Sequence, residues 1–132
     1  TMQIHQSAED YLETILMLNQ RMGRVRSIDV VNELGYTKAS VSIAMKKLRE
    51  NGYIAVDGEG NLTLLEPGRE IAERIYSRHR LLTHFFVQLG VEKDIAAEDA
   101  CKAEHILSEQ TLEKIREYAL LHDAESTLKK ED

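Results

Sequence analysis

Apolar side chains recur at helical spacing through the opening segment of the chain, and glycines stop each run. Tyr11, Leu12, Ile15, Leu16 and Leu18 follow Ser7-Ala8-Glu9-Asp10, which resembles a capping box, and the run ends at Gly23, so a first helix is predicted over roughly 8–22. Ser27 is expected to cap a short second helix that carries Ile28, Val30, Val31 and Leu34 and stops at Gly35. A third helix starts at Thr37 or Lys38, places Val41, Ala44, Met45 and Leu48 on one face, and ends at Asn51-Gly52. The period then shortens to that of strands. Tyr53-Ile54-Ala55-Val56 and Leu62-Thr63-Leu64-Leu65 flank the polar Asp57-Gly58-Glu59-Gly60-Asn61, which predicts a hairpin. Pro67, the only proline, suits the first turn of a long helix that runs to about Leu89 and is stopped by Gly90. Further helices are predicted over about 94–107 and 109–122, and the polar tail from Asp123 to Asp132 is expected to fray.

The fold class predicted is mainly α with a small β-hairpin, because helix, short helix, turn, helix and hairpin follow in the order of a winged helix-turn-helix. On the third helix, the apolar face leaves Ala39, Ser40, Ile43, Lys46 and Lys47 on or beside the opposite face. A helix entering a major groove needs lysines for phosphates, hydroxyls for base edges or phosphates, and an apolar group for a thymine methyl. A merely solvated helix face explains the lysines but not Ile43. The candidate DNA-binding residues are therefore Thr37, Lys38, Ala39, Ser40, Ser42, Ile43, Lys46 and Lys47. Asp57 and Glu59 at the hairpin tip make the wing a poor phosphate clamp.

Composition narrows this picture. The 132 residues, 42% of them hydrophobic, suffice for one ordinary domain or two small ones sharing a helical core. No apolar run approaches the ~18 residues of a membrane span, and Thr1-Met2-Gln3-Ile4-His5 lacks the parts of a signal peptide, so a cytoplasmic protein is expected. A formal net charge of -6 argues against nonspecific coating of nucleic acid, yet Lys38, Lys46, Lys47 and Arg49 against Glu50 make the third helix locally basic. The single cysteine, Cys101, cannot close an internal disulfide and is either a buried apolar group or a ligand in a reducing compartment.

Metal-ligand chemistry is concentrated at Cys101, Glu104 and His105, whose spacing puts all three on one flank of a helix turn. Asp10 and Glu13 share a face of the first helix, and His79 lies on the long one. Taken singly, each has a structural reading: acids favour a helix N-terminus, a histidine can be a satisfied packing residue, and a cysteine can be a small core hydrophobe. His5, His84 and His122 are read as surface or packing residues. The chain has no Gly-rich phosphate loop, no His-Glu-x-x-His pair and no nucleophile elbow, so it is not read as an enzyme. The alternatives are a metal-independent winged-helix regulator that senses an organic ligand and a small hydrolytic metalloprotein.

Four segments carry a family resemblance: Ser-Ala-Glu-Asp-Tyr-Leu-Glu at 7–13; Ser40-Val41-Ser42 followed by Lys46-Lys47-Leu48-Arg49-Glu50-Asn51-Gly52-Tyr53; Arg78-His79-Arg80-Leu81-Leu82; and Cys101-Lys102-Ala103-Glu104-His105-Ile106-Leu107-Ser108. Over about 7–122 the chain resembles the diphtheria toxin repressor and manganese transport regulator family of metal-dependent transcriptional repressors, in its short, two-domain form. The resemblance implies a DNA-binding domain over 1–66 and a helical metal-binding and dimerisation domain over 67–132, with Asp10, Glu13, His79, Cys101, Glu104 and His105 as metal ligands. It also implies a homodimer that binds an inverted-repeat DNA operator, with Mn(II) or Fe(II) as corepressor of metal-uptake genes, and neither a membrane nor an organic substrate as partner. Two departures bear on the metal. Asp10 stands where the iron-responsive branch has methionine, which favours Mn(II), whereas Cys101 stands where the short manganese regulators usually have glutamate, and its softer sulfur would improve binding of Fe(II), Zn(II) or Co(II). Thr83 and Ala97 occupy the positions of an ancillary site in the iron branch and cannot supply its donors.

Overall fold

The computed structural model describes residues 6–131. The elements follow in the order α1 (Gln6–Met22), α2 (Ser27–Leu34), α3 (Lys38–Glu50), β1 (Ile54–Val56), β2 (Leu62–Leu64), α4 (Glu66–Gln88), α5 (Lys93–Ala103) and α6 (Glu109–Glu131). They form two compact units, the first reaching to Ile75 and the second beginning at Tyr76, so the division falls inside α4. The mainly helical architecture with one small antiparallel hairpin is the one predicted. No helix among the described residues is long and apolar enough to cross a membrane.

In the first unit the helical spacing of apolar residues becomes a single core, with Leu12, Ile15, Leu18, Val25, Val30, Val41, Leu48 and Ile54 all fully enclosed. Two helix starts differ from expectation. Ser7 lies inside α1 rather than at its cap, and Glu9 pairs with Arg74 at 3.3 Å. At α2 the cap is not Ser27. Arg26 holds the extended cap backbone, and its amide donates to the Asp29 carboxylate at 2.9 Å, the reverse half of a capping box. Gly35 adopts φ +72° at the end of α2, a left-handed conformation that turns the chain towards α3. The hairpin pairs Ile54 with Leu64, Ala55 with Thr63 and Val56 with Leu62. Its turn is organised by Asp57, which accepts from the Glu59 and Asn61 amides at 2.9 Å. The Asn61 amide and side chain, above all, hold the Asp57 carboxyl below its ordinary pKa of 3.8. Glu59 faces Arg24 at 3.8 Å.

Pro67 takes the first turn of α4, as its fixed φ and missing N–H predict. One residue on, Gly68 meets the hairpin so closely that an added Cβ would lie 2.2 Å from the Tyr53 carbonyl oxygen. In the second unit Leu82, Ala100 and Leu112 form the core, with Leu81, Phe86, Ala103, Leu107 and Ile115 packed around it. Both C-terminal helices depart from prediction. α5 stops at Ala103 rather than near 107, because the Ile106 and Leu107 amides both turn back to the Ala103 carbonyl. Ser108 then accepts the Thr111 amide and restarts the chain as α6. α6 in turn continues to Glu131 through the segment expected to fray. Gln88 ties α4 to it through the Ala119 carbonyl at 3.1 Å and the Asp123 carboxylate at 2.7 Å, and His84 meets the same carboxylate at 2.9 Å.

Candidate functional site

The candidate reading face lies on α3 in the first unit. Thr37 caps the helix by accepting the Ser40 amide at 3.1 Å, and its hydroxyl donates to the Ser40 hydroxyl at 2.9 Å, so the two candidate polar readers hold each other in place. Val41, Met45 and Leu48 are buried and fix the rotation of the helix. Thr37, Lys38, Ala39, Ser40, Ser42, Ile43, Lys46 and Lys47 are all exposed, Ile43 with 59% of its surface in solvent. Ile43 thus contributes little to the core, as its place on the face opposite Val41, Met45 and Leu48 predicts. At the hairpin tip Asp57 is committed to its own turn and Glu59 to Arg24.

The second unit gathers four of the candidate ligands, His79, Cys101, Glu104 and His105, in one cluster. His79, on α4, directs Nδ1 at Glu104 Oε2 (2.9 Å) and at Cys101 Sγ (3.7 Å). His105 Nε2 lies 3.4 Å from the other Glu104 oxygen, Oε1. Glu104 is fully buried, and its Oε1 has no hydrogen-bond partner among the described residues. A buried carboxylate without its full set of donors is costly. The cluster compensates partly by protonating the histidine: the Cys101 sulfur first, then Glu104, raise the His79 pKa from 6.5 to about 10, against the opposing effect of burial. That protonation stabilises the metal-free fold fully below pH 6.5 and is lost as pH rises through about 10. The proton sits where nitrogen, oxygen and sulfur converge, an arrangement that a single cation also satisfies. The residues present therefore fit a divalent metal ion of borderline softness.

The placement of this cluster differs from the single helix flank that its spacing suggested. Cys101 is on α5, Glu104 is its C-terminal cap residue, and His105 follows in the turn. The turn is held by Arg78, whose Nη1 donates to the Glu104 carbonyl at 3.1 Å and whose Nη2 engages Glu109. Arg78 belongs to the segment that carries the resemblance, but nothing beside it in sequence announces this positioning role. Asp10 and Glu13 lie three residues apart on α1 of the first unit. His84 pairs with Asp123 and His122 stacks on Tyr118, whereas His5 lies outside the described residues.

Comparison with known proteins assigns both units. Residues 3–62 match the family described as iron dependent repressor, N-terminal DNA binding domain. Residues 65–121 match iron dependent repressor, metal binding and dimerisation domain. The transcriptional regulator MntR of Escherichia coli O6:H1 is 32% identical over 116 residues, which cover 88% of this chain and 75% of that protein. The HTH-type transcriptional regulator MntR of Bacillus subtilis is 30% identical over 125 residues, covering 95% of this chain and 88% of that one. A solved manganese-dependent transcriptional repressor in complex with manganese matches with a TM-score of 0.78 at 29% identity, over 85% of this chain and 52% of its own length. The chain thus spans about half the length of that structure. Since the two domain matches together account for nearly the whole sequence, in the order of the two units, the chain belongs to the iron-dependent repressor family of metal-dependent transcriptional repressors.

Proposed function

We propose that this chain represses transcription with Mn(II) as corepressor, Fe(II) being the alternative, and that it acts as a homodimer on an inverted-repeat operator of metal-uptake genes. The observation that carries the reading is the buried Glu104 carboxylate, with one oxygen on His79 and the other, beside His105, without a hydrogen-bond partner among the described residues. His79, Cys101, Glu104 and His105 would hold the ion, with Asp10 and Glu13 completing the ligand set. When bound, the ion supplies a fixed positive charge and a common attachment for these donors. Ligation needs a neutral imidazole, so His79 gives up the proton that Cys101 and Glu104 otherwise favour. Asp10, a hard oxygen donor, favours Mn(II) over softer ions.

On the DNA side, Lys38, Lys46 and Lys47 would meet phosphates, and Ser40, Ser42 and Ile43 base edges, with Thr37 and Ala39 at the approach. In a dimer both copies of α3 must meet successive major grooves ~34 Å apart. Metal that makes this geometry ten times more populated contributes about 1.4 kcal/mol of coupling, within the ordinary allosteric range. No organic ligand and no catalysed reaction are needed for this activity.

Equilibrium dialysis against Mn(II), Fe(II), Zn(II) and Co(II), followed by DNA binding with each ion, tests the reading. The DNA probe is a duplex selected from random sequence by the metal-loaded protein. Mn(II) should bind and strengthen DNA binding about tenfold or more, and Glu104→Ala should abolish both effects in a protein that remains folded. Asp10→Met should move the order of activating ions towards Fe(II) and Co(II), and Cys101→Glu back towards Mn(II). Retention of the wild-type metal response in Glu104→Ala would overturn the proposed ligand set.

A further inference from the structure

We propose that the edge-to-face pair of Tyr11 and Tyr36 is a positioning contact through which ligation on α1 sets the helix-turn-helix for DNA. The proposal rests on the reading of Asp10 and Glu13 as ligands, and it adds a route within the first unit from those residues to the reading helix. Tyr11 stands between them on α1 and is almost fully buried. Its ring meets that of Tyr36 at a centroid distance of 5.8 Å and an interplanar angle of 76°. Edge-to-face pairs are directional, because the positive ring edge seeks the negative face, whereas aliphatic core contacts slide more freely.

Tyr36 is well placed to pass a displacement on. It occupies the middle of the turn between Gly35, fixed at φ +72°, and Thr37, whose side chain caps α3 through Ser40. A push on the Tyr36 ring therefore reaches the first turn of α3, where Ser40 lies, and through it Ile43 in the next turn. Tyr11 also lines an open cleft of about 290 Å³ with Ser40, Ile43, Ala44 and Lys47, so it borders the exposed face of α3 as well as Tyr36.

Tyr36→Ala removes an exposed ring without opening the core, and Tyr36→Phe keeps the ring while deleting the hydroxyl. Mn(II) affinity is measured on DNA-free protein, and affinity for the selected duplex is measured with and without Mn(II). In Tyr36→Ala, Mn(II) affinity and metal-free DNA affinity should stay within about twofold of wild type, while the Mn(II)-induced gain in DNA affinity falls by about fivefold or more. Tyr36→Phe should keep the gain, since ring packing carries it. An undiminished gain in Tyr36→Ala would overturn the proposal. So would an equal loss of DNA affinity with and without metal, which makes Tyr36 a simple DNA contact, or a loss in Tyr36→Phe as large as in Tyr36→Ala. Absence of any Mn(II) gain in the wild-type protein would instead strike down the metal-switch reading itself.

Discussion

A single side chain can carry a role that its neighbours in sequence do not announce. Cys101, Glu104 and His105 stand out as candidate ligands because their donor types and spacing are visible locally. Arg78 does not, because its guanidinium is defined by the Glu104 carbonyl and Glu109, both on a later segment. Asp123 shows the same limitation: a polar tail predicts fraying, yet the carboxylate is held by His84 and Gln88 from α4. The His84 contact, foremost, and Gln88 lower the Asp123 pKa below 3.8. A depressed carboxyl stabilises the fold above its unfolded pKa and loses that contribution as pH falls through the folded value. Asp123→Asn should therefore melt below wild type at pH 6, with the difference narrowing under acid conditions below about pH 4. Because the pair is exposed, added salt should shrink the offset as well. Thermal melts across that range decide the matter, and an offset independent of both pH and salt would remove the charge from the explanation.

Elements were read well in kind and order and less well at their ends, for a reason particular helices make plain. α1, α3 and α4 are long amphipathic runs whose period survives any local uncertainty. Their ends depend on which group caps the backbone: at α2 that group is Asp29 rather than Ser27, and after α5 it is Ser108, which ends the turn and starts α6. The contact between α4 and the hairpin was equally invisible in sequence. Gly68 looks like an indifferent glycine inside a helix, where it would cost roughly 1 kcal/mol relative to Ala. Its position against the Tyr53 carbonyl reverses the effect of substitution, since the new Cβ would sit 2.2 Å from that oxygen. Gly68→Ala should destabilise the first unit by about 1–3 kcal/mol, the range of overpacked cores, despite the better helix propensity of alanine. Urea unfolding measures the difference directly, and a neutral or stabilising result would mean that α4 and the hairpin separate at little cost.

At the scale of the whole molecule, a net charge of -6 has to coexist with attraction to a polyanion. The resolution is local: the exposed face of α3 carries Lys38, Lys46 and Lys47, while the acidic Asp57 and Glu59 of the hairpin tip are occupied by the turn and by Arg24. Lys46 and Lys47, changed together to Ala, should weaken every duplex about equally and reduce the slope of log affinity against log salt by ~0.9 for each phosphate no longer neutralised. Mn(II) affinity of the free protein should hardly change, because neither lysine is among the proposed ligands. Ile43 separates the second component of recognition from this first one. Its exposed side chain carries no charge, so Ile43→Ala should leave the salt slope intact and lose about 1–3 kcal/mol mainly at one position of each half-site. Titration of both variants against the selected duplex and a scrambled one, over a series of salt concentrations, distinguishes the two contributions. Equal losses on both duplexes for Ile43→Ala would move that residue from sequence reading to the scaffold, and an unchanged slope for the lysine pair would place the phosphate interactions elsewhere on the surface.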